Sequence, residues 1–330
     1  MGFPRIRPRR NRRRGAIRAL VRETRLHPAD LVLPLFVQEG KQKRTPIRSL
    51  PGQARLSIDL IVREARAAHR LGIRAVALFP VIPGKLKDPR ATASTDPDGL
   101  LPRAIEAVKK AVPQIALITD VAMDPYSSDG HDGLVEKGRI LNDPTLEILS
   151  QMALTQAASG ADYVAPSDMM DGRVAAIRKA LDENGFSETG ILSYSAKVAS
   201  AFYGPFREAL DSAPKSGDKK SYQMDPANLR EAVREARLDE REGADIVMVK
   251  PAGPYLDVIR AVREAVRVPV AAYQVSGEYG MLTAAAEKGW LDLNDGIRET
   301  LTGIKRAGAD ILFTYFAKEA ARQLQKGGWD

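Results

Sequence analysis

Cysteine is absent from this 330-residue chain, and histidine occurs only three times. Without cysteine there is no disulfide and no thiolate metal site, so Asp, Glu and His remain as the metal ligands. No apolar run approaches the ~20 residues that a membrane-spanning helix needs. The charged N-terminus also lacks the apolar core of a secretory signal. We therefore expect a cytoplasmic enzyme that has no membrane partner.

The net charge of +8 is concentrated in one short segment. Residues 1–25 contain ten arginines against one glutamate, so the rest of the chain is close to neutral. An arginine-rich segment can bind phosphates, but only Phe3 supplies an aromatic side chain here, which disfavours nucleic-acid binding. A transit peptide is disfavoured because that class is also rich in serine. We predict that residues 1–30 form an arm for subunit assembly, with no nucleic-acid partner.

Apolar, strand-like runs alternate with segments of helical periodicity through the remaining residues, 31–330. A doubly wound open sheet would normally show a Gly-rich phosphate turn after an early strand, and none is present. Eight strands at this length, with no linker between two halves, predict a single catalytic TIM barrel of the (β/α)8 type. The strand candidates are residues 31–37, 75–81, 115–121, 163–167, 191–197, 246–250, 270–275 and 311–316.

The turn Gly-Ala-Asp occurs three times just before a strand candidate, at Gly160, Gly243 and Gly308. Glycine often ends a helix in the left-handed conformation. We predict that these turns are structural and connect helices to strands at the bottom of the barrel.

Two consecutive strand candidates end in lysine, at Lys197 and Lys250. In such barrels the reactive groups lie at the carboxyl ends of the strands. Neighbouring strands are ~4.8 Å apart, so two inward lysines at one level disfavour each other's charge. A neutral amine can add to a ketone or aldehyde and form an imine. The alternative is that each lysine is paired structurally with an aspartate such as Asp120 or Asp168.

Strand alternation predicts that Ser193 and Ser195 point to the same side as Lys197. The other strand candidates end in polar residues too, at the same end of the barrel. These residues are Asp120, Asp124, His131, Asp132, Asp168, Asp171, Tyr273, Gln274, Ser276 and Tyr315.

The loop at residues 202–224, which we call the cover loop, is rich in groups that bind anions. It could bring cations over the barrel mouth and exclude water from a carboxylate substrate. The alternative is a solvated surface loop, the commoner fate of such charges. Its anion-binding residues are Arg207, Lys215, Lys219, Lys220 and Gln223.

Five motifs follow one another along the chain: SYSAKVASAFYGPFR at 193–207, KSYQMDP at 220–226, MVKPAGPYLD at 248–257, AYQVSGEY at 272–279 and IKRAGAD at 304–310. In this order they resemble the porphobilinogen synthase family, also called 5-aminolevulinate dehydratase. The resemblance implies a barrel whose arm embraces a partner in a homo-octamer. It also implies that two 5-aminolevulinate molecules are joined, with loss of two waters, into porphobilinogen for heme and other tetrapyrroles.

The resemblance also assigns roles at the barrel mouth. It implies that Lys250 forms a Schiff base with the substrate that becomes the propionate side, and that Lys197 holds the acetate-side substrate in the same way. The family often has arginine where Lys219 stands, and lysine lacks the bidentate fork of arginine. The implied carboxylate-binding residues are Arg207, Lys219 and Gln223 for the second substrate, and Ser276 and Tyr315 for the first.

The chain departs from zinc-dependent members of the family within residues 120–133. Those members carry three cysteines where this chain has Ala122, Asp124 and Asp132. A catalytic zinc is therefore not expected, and the chain resembles the aspartate-rich, zinc-independent and Mg²⁺-stimulated type. The aspartates and His131 could bind Mg²⁺ or a potassium-like ion, or could act as acid and base without a metal.

Glu235 precedes the sixth strand and matches the glutamate that binds an allosteric Mg²⁺ at a subunit interface in the family. The alternative is an exposed helix carboxylate, since Arg234 and Asp239 lie nearby in sequence. The outer shell of this ion is expected from Asp168, Asp171 and Arg173.

Two rival functions make different predictions. A class I aldolase also uses a barrel lysine, but Ser276-Gly277-Glu278 places a carboxylate where a sugar-phosphate site would need a glycine turn. An RNA-binding protein would bind with steep salt dependence and lose that binding when residues 1–14 are removed.

Overall fold

A computed structural model of the chain describes residues 5–327 and 329. Eight parallel strands form a closed barrel, because Leu31 and Val32 of the first strand pair with Leu312 and Phe313 of the last. The strands are β1 Leu31–Gln38, β2 Ala75–Pro80, β3 Ala116–Val121, β4 Tyr163–Pro166, β5 Gly190–Lys197, β6 Ile246–Lys250, β7 Val270–Gln274 and β8 Ile311–Thr314.

A helix follows each strand and covers the outside of the barrel. The eight covering helices are α1 Ile58–Arg70, α2 Leu100–Ala111, α3 Asn142–Ala158, α4 Arg173–Glu183, α5 Leu229–Glu242, α6 Leu256–Ala265, α7 Leu293–Ala307 and α8 Ala317–Gln325. Further α-helices span Gly15–Leu20, Gly204–Leu210 and Ser276–Glu287. Short 3-10 helices span Pro8–Arg12, Pro28–Asp30, Gly84–Leu86, Thr92–Thr95, Ala201–Tyr203 and Gly253–Tyr255.

The strands form where the sequence has short apolar runs, because both faces of each strand are covered. All eight residues of β1 and all five residues of β6 and of β7 are buried. A parallel sheet packed on both faces requires this continuous apolar character. The predicted TIM barrel is confirmed, and every predicted strand lies within two residues of an observed one.

The three Gly-Ala-Asp turns connect helices to strands as predicted. Gly160, Gly243 and Gly308 have φ values of +100°, +106° and +124°. These values are rare for residues with a side chain, so glycine lets the helix end and the chain turn into the next strand.

The prediction that Ser193 shares the inward face of Lys197 is wrong. Its hydroxyl lies outside the barrel wall and donates to Asp239 of α5 at 2.7 Å. The pairing of β5 with β6 shifts register, since Val247 pairs with Ser193 while Val249 pairs with Ala196. The extra residue in β5 is a bulge, and a bulge breaks simple alternation of side chains.

Several segments that the sequence indicated as loops contain short elements. Strands Arg44–Pro46 and Ala54–Ser57 extend the sheet beside β1, and Leu134–Glu136 pairs with Arg139–Leu141 in a hairpin. Helix Gly204–Leu210 lies within the cover loop. These elements are too short to give a clear periodicity in sequence.

The predicted arm lies on the surface. Residues 1–4 are outside the described part of the chain, and no residue from 5 to 27 is buried. Ile6 and Leu20 leave 85% and 79% of their surface exposed. Within the described residues, no helix is both long enough and apolar enough to cross a membrane. The role of the arm in assembly stays a prediction.

Candidate active site

Lys197 and Lys250 are direct neighbours at the carboxyl ends of β5 and β6. Their Cα positions are paired in the sheet register, and the side chains are only 6% and 5% exposed. Each lysine is the last residue of a strand that is otherwise apolar or small, so the strand fixes the height of the amine above the barrel core. The structure therefore brings together the two lysines that strand spacing predicted to be adjacent.

Aromatic rings enclose the amine of Lys250. Its Nζ atom lies 4.9 Å from the ring centre of Tyr194, 5.2 Å from Tyr203, 4.8 Å from Phe206 and 4.7 Å from Tyr273. We call these four rings the aromatic box. Burial, and then the nearby charge of Lys197, lower the pKa of Lys250 to about 7. An amine in this setting is substantially neutral at physiological pH, as nucleophilic addition requires.

The phenol groups around Lys250 fix the box. The Tyr203 hydroxyl donates to the backbone oxygen of Lys250 at 3.0 Å, and the Tyr273 hydroxyl donates to the Tyr315 hydroxyl at 3.1 Å. Burial raises the pKa of Tyr203 and of Tyr273 well above its ordinary value. These phenols are thus neutral hydrogen-bond donors rather than counter-ions for the amine.

Lys197 has a polar environment instead. Its Nζ atom donates to the backbone oxygen of Ser167, which follows β4, and lies 3.8 Å from Asp132 Oδ2. Lys219, 6% exposed, enters the same cluster from the cover loop. Its Nζ atom donates to Asp124 Oδ2 at 3.2 Å and to Asp132 Oδ2 at 3.1 Å. Two ammonium groups and two carboxylates therefore occupy this half of the mouth.

The two aspartates of this cluster titrate in opposite directions. Burial opposes the ionisation of Asp132, but the charges of Lys197 and Lys219 outweigh it and lower its pKa to about 2. Burial raises the pKa of Asp124, and the charge of Asp132 adds to that effect, although Lys219 opposes it. Asp132 is therefore the permanent anion of the cluster.

Asp120, at the end of β3, is the carboxyl group poised near neutral pH. Burial, and then the charge of Asp124, raise its pKa to about 7. Its Oδ1 atom is buried and makes no hydrogen bond within the described residues. A carboxyl group with such a pKa can both give and accept a proton at pH 7.

His131 is held away from metal-binding duty. Its Nε2 atom lies 2.9 Å from the backbone oxygen of Ser216, so that nitrogen carries the proton. Its Nδ1 atom then accepts from the Tyr222 hydroxyl at 3.1 Å. Both ring nitrogens are used, and the ring ties the loop after β3 to the cover loop.

The other predicted substrate-binding residues surround the lysines unevenly. Gln223 is buried, and its Oε1 atom makes no hydrogen bond within residues 5–327 and 329. Ser276 is buried, and its hydroxyl donates to the backbone oxygen of Phe202 at 3.2 Å. Tyr315 is buried beside Tyr273, whereas Arg207 is half-buried on helix Gly204–Leu210.

Glu235 lies apart from the lysines, on α5. It lines a cavity of about 540 Å³ with Asp171, Glu231 and Asn142. Burial, and then the charge of Asp239, raise the pKa of Glu235, while Arg173 opposes the shift.

The predicted outer-shell residues of Glu235 are divided between two places. Asp171 lines the same cavity, but Arg173 is buried and donates to Asp239 at 2.8 Å. Asp168 lies beside Arg173, at 4.0 Å from its Nε atom. No group of three or more metal-ligating side chains occurs in the described residues, here or at Asp124 and Asp132.

Sequence reasoning missed the aromatic box and did not single out Asp120. A signal for the box was present, because only 6% of the chain is aromatic, yet Tyr194, Phe202, Tyr203 and Phe206 fall within 13 residues. The pKa of Asp120 had no such signal, since it depends on burial and on charges from distant strands.

The whole chain is similar to one group of known proteins. Residues 5–323 match the family model described as Delta-aminolevulinic acid dehydratase. The chloroplastic enzyme of that name from Physcomitrium patens is 56% identical over 96% of this chain and 74% of its own length. The Chlamydia pneumoniae enzyme is 51% identical over 97% of both chains.

A solved structure supports the same grouping. It is delta-aminolevulinic acid dehydratase from Toxoplasma gondii in complex with the reaction product porphobilinogen. This protein is 54% identical to the chain, with a TM-score of 0.95 over 97% of this chain and 91% of that one.

Proposed function

Because this chain belongs to the delta-aminolevulinic acid dehydratase family, we propose that it makes porphobilinogen through imines on Lys250 and Lys197. The overall reaction is the hydro-lyase activity of a porphobilinogen synthase in tetrapyrrole synthesis, and its substrate is 5-aminolevulinate. The observation that carries the two-lysine mechanism is the buried amine of Lys250 in the aromatic box, directly beside Lys197.

Lys250 starts the chemistry on the propionate-side substrate. Its neutral amine adds to the ketone carbon, and the resulting alcohol leaves as water to give the imine. The imine withdraws electrons from the adjacent carbon, so that this carbon can lose a proton and become a nucleophile. The dry aromatic walls favour the neutral amine that begins this sequence.

Lys197 holds the acetate-side substrate as a second imine. Each imine releases one water, which accounts for both waters lost in the overall reaction. Both lysines are regenerated when the new carbon–carbon and carbon–nitrogen bonds replace the bonds to their amines. Asp132, 3.8 Å from the Lys197 amine, stabilises the positive charge that the protonated imine carries.

Asp120 is our candidate for moving protons between these steps. Imine formation needs a proton for the departing water, and enamine formation needs a base for the carbon-bound proton. A buried carboxyl group with pKa of about 7 can do both in turn. Its unpartnered Oδ1 atom supports this role, because an idle buried oxygen is costly without a use.

The substrate carboxylates need partners at both halves of the mouth. We propose Arg207, Lys219 and Gln223 for the acetate-side substrate. The free Oε1 atom of buried Gln223 supports a ligand contact. For the propionate-side substrate we propose Ser276 and Tyr315, whose hydroxyls lie on either side of the cover loop's attachment to the barrel.

The active site of this zinc-independent type would use Asp124 and Asp132 without a thiolate metal. The Lys219 ammonium already stands between the two carboxylates, at 3.2 and 3.1 Å. A lysine in that place supplies the positive charge that a bound cation would otherwise supply. This arrangement supports an acid-base and charge-balancing role for the aspartates.

An allosteric Mg²⁺ would be held by Glu235. Carboxylate and amide oxygens are ligands that Mg²⁺ accepts, with water completing its shell. The half-buried carboxylates of the Glu235 cavity repel one another, and a divalent cation would relieve that repulsion. Mg²⁺ should raise the melting temperature of the wild type but not of Glu235→Gln; an equal shift in both would place the ion elsewhere.

Assembly into a homo-octamer through the arm is the last part of this proposal. Exposed apolar side chains at Ile6 and Leu20 are unusual on a surface arm and suit burial against a second copy. Sedimentation of the full chain and of a variant lacking residues 1–14 tests this. An unchanged large particle after the deletion would remove the arm from assembly.

Covalent trapping tests the lysine chemistry. A 4-oxo acid that lacks the amino group can form the imine but cannot complete the pyrrole, and a hydride reductant makes that imine permanent. Peptide mass mapping should place the adduct on Lys250. Lys250→Met should lose porphobilinogen formation by at least ~10⁴-fold. Appreciable turnover by that variant would exclude the mechanism.

A further inference from the structure

The aromatic box around Lys250 is built from two kinds of chain segment. Tyr194 and Tyr273 belong to β5 and β7, which are fixed parts of the barrel. Tyr203 and Phe206 belong to the cover loop. Half of the shell that separates this amine from water is therefore carried by a segment outside the barrel.

Phe206 is the apolar wedge of that segment. Its ring centre is 5.7 Å from that of Phe36 on β1 and 5.2 Å from that of Phe79 on β2. The same ring lies 4.8 Å from the Lys250 amine. Phe206 thus spans the mouth from the side opposite Lys250 and closes the box from above.

The segment that carries Phe206 is held down by a few polar contacts to its backbone. At its start, the Phe206 N–H donates to the Ser276 hydroxyl at 3.0 Å. At its end, Arg55 donates to the oxygens of Glu208 and Ala209 at 2.6 and 2.8 Å. Cations suit the free carbonyls at the end of a helix.

One more cation fastens the end of the same segment. Lys87 donates to the backbone oxygen of Asp211 at 2.6 Å. These fastenings lie outside the barrel strands, so the segment can lift without disturbing the strand pairing that holds Lys250. Surface segments held by few contacts open at low free-energy cost.

We propose that Phe206 is the positioning residue that completes the dry environment of Lys250, so that closure of the cover loop deprotonates this lysine and opening restores its proton. The proposal rests on the imine role of Lys250. When the loop opens, water reaches the amine and supplies a proton to its lone pair. When the loop closes over a ketone substrate, water and the proton leave together, and the lone pair becomes free for addition.

The charged groups that face Lys250 do not move with Phe206. Burial is the largest cause of the lowered pKa of Lys250, ahead of the charge of Lys197. Removing one wall therefore weakens the leading cause and leaves the charges in place. The titratable groups that face the amine from the neighbouring elements are Lys197, Asp120, Asp124, Asp132, Tyr194, Tyr203 and Tyr273.

The coupling has a chemical use. In the open state Lys250 is a protonated amine, which does not add to stray aldehydes or ketones. In the closed state it becomes nucleophilic only after the cover loop has sealed the mouth. Reactivity is thereby confined to the state that contains the substrate and excludes water.

The pH dependence of imine trapping at Lys250 tests the coupling. The probe is 4-oxopentanoate with cyanoborohydride, and the rate of adduct formation is followed from pH 5.5 to 9.5 by mass mapping. Phe206→Ala should move the midpoint of this profile to higher pH by about one unit. Phe206→Leu, which keeps an apolar side chain of similar volume, should stay near the wild-type midpoint.

A second variant leaves the box intact and loosens the cover loop. Arg55→Met removes the two hydrogen bonds at the end of the helix, so it should shift the midpoint in the same direction as Phe206→Ala, by a smaller amount. A slower reaction with an unchanged midpoint in both variants would overturn the coupling and leave Phe206 a packing residue. If the wild type forms no adduct at Lys250 at any pH, the imine mechanism itself fails.

Discussion

The two halves of the barrel mouth treat the same side chain in opposite ways. Lys250 is surrounded by four aromatic rings, while Lys197, its neighbour in the sheet register, faces Asp132 and the Ser167 carbonyl. Lys219 adds a further ammonium to the second half, between Asp124 and Asp132. One half is dry and aromatic, and the other is charged and hydrogen-bonded.

This difference separates two tasks that one lysine could not perform alone. Removing water and counter-ions makes Lys250 a neutral nucleophile, at a cost in stability. Surrounding Lys197 with carboxylate and carbonyl oxygens stabilises positive charge, including that of an imine. Two lysines on adjacent strands can thus have different chemistry because the contacts beyond each strand end differ.

Loss of Asp132 should damage the charged half most. Asp132→Asn leaves Lys197 and Lys219 without their shared anion, and breaking such a buried pair costs about 3 kcal/mol of unfolding free energy. Asp124→Asn is the matched control and should cost less, because Asp124 contacts Lys219 but not Lys197 in the described structure. Urea unfolding at pH 7 measures both; equal losses would contradict the ranking.

The pH dependence of that effect has a defined sign. The pKa of Asp132 falls from 3.8 to about 2 on folding. Its contribution is therefore fully present above about pH 4 and is lost as the pH falls toward 2. The gap between wild type and Asp132→Asn should narrow over that interval.

Replacement of Lys250 should reveal the cost of the dry half. Lys250→Met keeps an apolar side chain in the aromatic box and should raise the free energy of unfolding by about 2 kcal/mol near pH 6, while activity is lost. The folded pKa of Lys250 is lowered, so the penalty is fully present below about pH 7 and fades toward pH 10.5. Lys179→Met, at an exposed site, is the control. A destabilised Lys250→Met would show that the amine is not held at a cost.

The smallest expected effect separates rings from hydroxyls in the box. Tyr203→Phe removes the hydrogen bond to the Lys250 oxygen but keeps the ring, so we expect a loss of ~1 kcal/mol in unfolding free energy. The midpoint of imine trapping at Lys250 should stay at its wild-type pH. A shift as large as that of Phe206→Ala would mean that the hydroxyl, rather than the ring, controls the amine.

Much of this molecule could be read from local patterns. Apolar runs with helical segments between them predicted the eight strands, and Gly243 marked the turn into β6 because only a left-handed residue fits there. The end of each strand predicted which polar residues would meet. Ser193 was misplaced because a bulge in β5 leaves no trace in the alternation of residue types.

By itself, the sequence determined that Lys197 and Lys250 end adjacent strands and that no cysteine can hold a metal at Ala122, Asp124 and Asp132. Only the tertiary structure decided which lysine is dry, because Phe206 and Tyr273 reach Lys250 from segments far apart in the chain. Strand order follows from short-range periodicity, whereas desolvation and charge depend on every atom within a few ångströms, wherever the chain brings it from.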